Sequence, residues 1–301
     1  SWKENRIEMV ITIKADGYSE DKVIEKIEGV DIQFMNSKDL VSAKTIFNNQ
    51  RNGWSWNWGN NNVNLSVHYS IKMPVTNAVD LENDYGSILI DRLDGHAKIE
   101  CDYGRIDIGS LNGENNELHF DYTSKSSIGY IRSGSIDADY SGMTIEKAGN
   151  LSLETDYSSI TVNDMEDLDY NADYGSIEIG KAHHVRGVGD YIGVKLGVLH
   201  GEVSLDSDYG SIKIEQMAAN AGNLNINSNY TGVKIGYHPS YHFQFEIDTK
   251  YAGVSGKDYF DLSISKEKSS ERYYKGNYGN PNAKNQVRVT SKYGGVSFIR
   301  K

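Results

Sequence analysis

Apolar and polar positions alternate along most of the chain, in short runs that each end on a tyrosine. Leu151, Leu153, Thr155 and Tyr157 make one such run, and Val203, Leu205, Ser207 and Tyr209, Leu224, Ile226, Ser228 and Tyr230, and Val287, Val289, Ser291 and Tyr293 make others. Period two puts these residues on one face of a strand. After each tyrosine comes a small pair and then a second alternation, as in Ile177 and Ile179 or Ile212 and Ile214. The unit therefore reads as strand, turn, strand.

The unit repeats. Asp173-Tyr174-Gly175-Ser176-Ile177-Glu178-Ile179 has close copies at Asp84, Asp102, Asp121, Asp139, Asp156, Asp190 and Asp208, and looser ones at Asn229, Lys250 and Lys292. The tyrosines stand at Tyr85, Tyr103, Tyr122, Tyr140, Tyr157, Tyr174, Tyr191, Tyr209, Tyr230, Tyr251 and Tyr293, in steps of 17 to 21 residues with one doubled gap of 42 at the end. A fixed period near 20 marks a solenoid, whose units bury their apolar faces only by stacking. No helical spacing occurs within a repeat, and roughly 18 residues cannot hold a strand, a helix and two connections. The prediction is an all-β fold, a single-stranded parallel β-helix or β-solenoid, with coils of 17–21 residues about 4.8 Å apart and an N-terminal cap.

In such a stack the tyrosines form an aromatic ladder, and the glycine after each one lets the backbone bend. The position two before the tyrosine is often small, as at Cys101, Ala138, Ala172 and Ser207. If the rings are buried, Tyr174→Ala should cost roughly 3–5 kcal/mol. A loss below about 1 kcal/mol would put them outside.

Four segments follow. Residues 1–78 read as a β-rich cap, with a strand over 4–15, a short helix from Ser19 as N-cap to Gly29, and further alternation in 31–50 and 63–77. Residues 79–256 are the coils. Residues 257–286 break the period as an excursion, either a hairpin or ordered loop, or loose disorder over Lys266–Lys284. Residues 287–301 read as the last solenoid strands.

The net charge of −11 disfavours nucleic acid as a partner, because phosphate neutralisation needs a basic face. Residues 230–301 carry twelve Lys and Arg against six Asp and Glu, which leaves −17 for residues 1–229. That asymmetry reads as a solvated surface, with head-to-tail contact or a charged surface target as the alternative. The single cysteine, Cys101, reads as a buried inert thiol. No apolar run is long enough for a transmembrane segment.

The contact candidates are aromatic. Trp54, Trp56 and Trp58 hold three of the four tryptophans and read first as packing within the cap; on a strand they would share one face, which makes glycan stacking or another partner contact the alternative. Tyr273, Tyr274 and Tyr278 in the excursion are the second group. The Asp before eight of the ladder tyrosines reads as an acceptor for turn amides, with a cation-binding column as the alternative. His183-His184 and the pair His238 and His242 read as surface histidines rather than a zinc site. No G-x-S-x-G, H-E-x-x-H or P-loop is present, so no catalytic, cofactor or metal residue is assigned.

The repeats DYGSILI, DYGRIDI, DYSSITV and DYGSIKI, entered through Ile71-Lys72-Met73-Pro74 and the run from Val79 to Gly86, resemble the exported bacterial domains of unknown function that carry the label adhesin. The resemblance covers roughly residues 65–300. It implies a β-solenoid of the Gram-negative envelope, periplasmic, outer-membrane or at the cell surface, with a removed export signal or a lipid anchor ahead of Ser1. Fold, charge and aromatic segments together read as a non-enzymatic binding protein, with a glycan or another envelope protein as partner. A carbohydrate-active β-helix enzyme and an envelope structural or signalling component are the alternatives.

Overall fold

A computed structural model describes residue 2, residues 4–48 and residues 63–301. These form two compact units that divide at Val75 and Thr76, three residues before the sequence boundary at 78.

The first unit holds two antiparallel pairs and a helix. Strand Glu8–Gly17 pairs with Val63–Lys72, and Val30–Asn36 pairs with Val41–Phe47. The helix, Glu20–Glu28, starts where expected, with Glu20 and Asp21 in its first turn; Ser19 caps it through its carbonyl, not its hydroxyl. None of the described side chains in this unit is fully buried. Trp54, Trp56 and Trp58 lie outside the described residues.

The second unit is a β-solenoid of about nine turns, with parallel strands stacked in register. Each coil contributes two strands that meet at the tyrosine, as in Ala97–Asp102 and Arg105–Leu111. Equivalent residues pair one rung apart: Ile136 with Leu153, Leu153 with Tyr170, and Asp139 with Asp156 and then Asp173. Mid-stack the kinks smooth out, and Ser159–Ala182 runs as one strand of 24 residues. The alternation read from the sequence becomes the core, with Ile99, Cys101, Ile106, Ile108 and Leu111 all at most 2% exposed. Cys101 is thus the buried thiol expected, and burial raises its pKa.

The far end departs from sequence order. Strand Gln286–Lys292 pairs in parallel with Leu224–Asn229 on one side and with Phe243–Lys250 on the other. Val296–Arg300 likewise lies between Gly232–Tyr237 and Val254–Ser255. The chain therefore climbs two rungs after Tyr237, builds the outer rung, and returns to fill the place it skipped. The segment 287–301 is last in sequence but not last in the stack, which corrects the expected order.

The excursion is an ordered hairpin, so the reading of disorder over Lys266–Lys284 fails. Strand Glu271–Tyr278 pairs antiparallel with the outer rung Phe243–Lys250, and Asp261–Lys268 pairs with it in turn. Every residue of Asp261–Lys268 is exposed, and its lysines and Glu267 discourage further strand pairing at this edge. Tyr274 and Tyr278 are 1% and 6% exposed, and Tyr278 belongs to an aromatic cluster with Tyr237, Phe243, Phe245 and Phe260. Tyr273 is half-buried and its hydroxyl donates to Glu246 at 2.9 Å. Tyr274 and Tyr278 therefore belong to the core and not to a contact surface.

Coil stability is nearest-neighbour in a solenoid, so the inserted rung should matter locally. Deleting residues 286–301 removes Val287, Val289, Val296 and Phe298 from the core, each at most 5% exposed. Amide hydrogen exchange on the deletion is expected to show lost protection over residues 243–278 and retained protection over 97–180. Uniform loss along the stack would show that the coils unfold as one unit.

Candidate functional site

The most regular surface of the solenoid is the corner that carries the repeated Asp-Tyr. All eleven ladder tyrosines adopt a left-handed backbone, with φ between 50° and 58°. The glycines that follow them do not, which corrects the expectation that glycine makes the bend. Those glycines serve close approach instead: a Cβ at Gly104, Gly175, Gly210 or Gly294 would strike a carbonyl of the adjoining rung. Where the same column holds a hydroxyl, it serves the amides of the kink. Ser158 Oγ accepts from the Ser141 N–H at 2.9 Å and lies 2.8 Å from the Ala138 carbonyl. Thr231 Oγ1 accepts from the Gly210 N–H at 3.0 Å.

A left-handed backbone costs a non-glycine residue about 1–2 kcal/mol, so something must hold each tyrosine there. Two contacts do. The Tyr N–H donates to the carbonyl of the Asp or its equivalent on the next rung, as from Tyr140 to Asp156 and from Tyr157 to Asp173, both at 2.9 Å. The rings also stack, with centroids 4.5–5.1 Å apart and planes within 10° of parallel. The spatial order is Tyr85 to Tyr230 in sequence, then Tyr293, then Tyr251. Eleven rings at strand spacing span roughly 48 Å.

The ladder faces outward. Tyr174 is 43% exposed and Tyr103 53%, so the buried-ring expectation for Tyr174 fails. Stacking covers the ring faces and leaves edges and hydroxyls at the surface. Desolvation, and then the neighbouring phenols, raise the pKa of Tyr103, Tyr140, Tyr174 and Tyr209.

Beside the ladder runs the acidic column: Asp84, Asp102, Asp121, Asp139, Asp156, Asp173, Asp190 and Asp208, then Asn229, Lys292 and Lys250 in spatial order. Asp139 Oδ1 accepts from the Asp156 N–H, and Asp173 Oδ1 from the Asp190 N–H, both at 3.0 Å. These carboxylates thus cap amides as expected, but of the next rung rather than of their own turn. The column carries part of the charge asymmetry read from composition, eight carboxylates giving way to Asn229 and two lysines.

Like charges at rung spacing repel. Desolvation, followed by neighbouring carboxylates, raises the pKa of Asp156; for Asp121 desolvation dominates and His119 partly opposes it. Protonation relieves both groups in the fold. Their contribution to stability is present below the ordinary carboxylate pKa and lost as pH rises through the folded value.

Other expected positions are scattered. His238 Nδ1 accepts from the Ser240 N–H two residues on, and His242 Nδ1 from the Asn280 N–H of the excursion. A shallow groove of about 620 Å³ runs over Asp167, Asp169, Arg186, Glu202 and Arg288 on another edge. No described helix is long and apolar enough to cross a membrane.

Fold and surface define a β-solenoid with an outward tyrosine ladder and a parallel carboxylate column. Comparison with protein-family models, curated proteins and solved structures finds no match in any of the three.

Three substitutions test this description. Tyr174→Ala removes two stacked neighbours, each contributing about 0.5–1.5 kcal/mol, so the expected loss in chemical denaturation is about 1–3 kcal/mol. Tyr174→Gly should lose about 1 kcal/mol less, because glycine accepts the left-handed backbone. Asp156→Asn removes repulsion from Asp139 and Asp173 in a column where Asn229 already fits. It should raise the melting temperature at pH 7 and leave it unchanged near pH 3; a fall at pH 7 would mean that the carboxylate is held by an attraction instead.

Proposed function

We propose that this chain is a non-enzymatic, extracytoplasmic β-solenoid of adhesin type, and that it binds its partner along the tyrosine and aspartate columns. The observation that carries this reading is the unbroken run of eight carboxylates beside eleven outward phenols at one fixed spacing. A surface of that kind attracts a cation-bearing polymer whose charges recur along its length, since each added contact is gained without a further loss of freedom. The ring faces are stacked on one another, so along the ladder pyranose stacking is left to the two terminal rings, Tyr85 and Tyr251, at 72% and 55% exposed. Binding then rests on carboxylate–ammonium pairs and phenol hydrogen bonds, and an amino-sugar glycan is the partner class that supplies both. The envelope location rests on the resemblance of the DYGSIxI repeats.

Calorimetric titration with partly deacetylated chitosan oligomers, against fully N-acetylated oligomers of the same length, tests the proposal. Binding is expected for the deacetylated series alone, weakened by salt, and reduced about tenfold or more in an Asp139→Asn, Asp156→Asn, Asp173→Asn variant. Equal affinity for the two series, or an unaffected variant, would remove this face from the account. Binding of polylysine but not of chitosan would point to a basic protein as the partner.

A further inference from the structure

One corner away from the ladder, the rungs carry a second polar column in which Asn150 pairs with Asp167, and Asp167 with His184. His183 precedes His184 at the bend between the strands Ser159–Ala182 and His184–Leu199. The bend turns both imidazoles to the same side, whereas neighbours within a strand point apart. Their rings meet edge to face with centroids 4.4 Å apart. One donor atom each from Asp167, His183 and His184 falls within 4.8 Å of the others. Asp167 Oδ1 is buried and accepts no hydrogen bond. A carboxylate oxygen out of contact with water and without a donor is an unmet demand for positive charge.

We propose that Asp167, His183 and His184 form a binding site for a single divalent ion of the zinc, nickel or copper class. Two imidazoles and one carboxylate are the donor set these ions prefer, and calcium and magnesium, which take oxygen ligands, are disfavoured. Three protein donors leave further positions for water. The site stands apart from the ladder and does not depend on the function proposed for it.

One consequence is specific to this geometry. His184 Nδ1 accepts the backbone N–H of Glu202 at 2.9 Å. A neutral imidazole has one lone pair, so the ion and that amide compete for it. Metal binding therefore releases the Glu202 amide, and Glu202 is tied by its Oε1 to the Asn223 side chain at 3.0 Å. The ion would loosen one hydrogen bond of the column as it ties the two rungs together.

The experiment uses full-length protein stripped with a chelator and titrated with Zn²⁺ by calorimetry, and with Co²⁺ by visible absorption. One ion per chain is expected, with affinity lowered about tenfold or more by His183→Ala and by Asp167→Asn and unaffected by His238→Ala. The ¹H–¹⁵N resonance of the Glu202 amide should shift on saturation. Asp167→Asn keeps the size of a partly buried side chain, and circular dichroism confirms that each variant remains folded. Absence of binding, or equal binding by the two site variants, overturns the proposal. Binding that leaves the Glu202 amide unmoved removes His184 from the ligand set and overturns the three-residue site.

Discussion

Parallel hydrogen bonding of each coil to the next is the constraint from which the rest follows. A strand amide in a rung of about 18 residues has no partner within its own coil. It is paired only if the neighbouring coil presents a carbonyl in register, as Asp139 and Asp156 or Ile136 and Leu153 do. That registry brings like side chains together at strand spacing whether or not they attract. Aliphatic columns gain by it, since every inward residue is covered above and below. Tyrosine columns gain as well, and stacking with amide bonding holds eleven residues in a backbone conformation they would otherwise avoid. Carboxylate columns lose.

The Asp-Tyr corner is therefore a balance and not a simple stabilising motif. The carboxylates accept amides of the next rung and so support the stack locally, while their charges oppose one another along it. Desolvation and then this opposition raise the pKa of Asp121 and Asp156, and a cationic partner would relieve the opposition. The run of like charge stops where the column changes to Asn229 and then to lysine, and Lys250 there finds Glu271 of the terminal hairpin at 3.2 Å. Charge along the axis and closure of the end are thus linked in the same residues.

Closure of the stack uses a different device. The outermost rung is completed by an antiparallel hairpin, with an aromatic cluster beneath it and a fully exposed polar strand at its edge. The penultimate rung is supplied by residues from the other end of the excursion. Tyr241 and Tyr278 anchor this region through hydroxyl bonds to the carbonyls of Gly222 and Pro239, at 2.6 and 3.0 Å. Those bonds give buried phenols the partners that burial demands.

The solenoid, its period, its inward aliphatic positions and the alignment of Tyr85 through Tyr230 were all readable from spacing alone, because period-two alternation within an 18-residue repeat admits few other folds. Four things were not. That the tyrosine rather than the glycine turns the chain depends on backbone angles that stacking holds in place. That the ladder lies outside depends on which side of the corner the ring takes once its backbone is left-handed. The place of Val287–Ile299 between earlier rungs depends on contacts between segments some sixty residues apart in the chain, which carry no periodic mark. The convergence of Asp167 with His183 and His184 depends on the bend between two strands, where residues a full coil apart become neighbours. Repetition specifies what repeats; corners, ends and exceptions are decided by the packing of the folded chain.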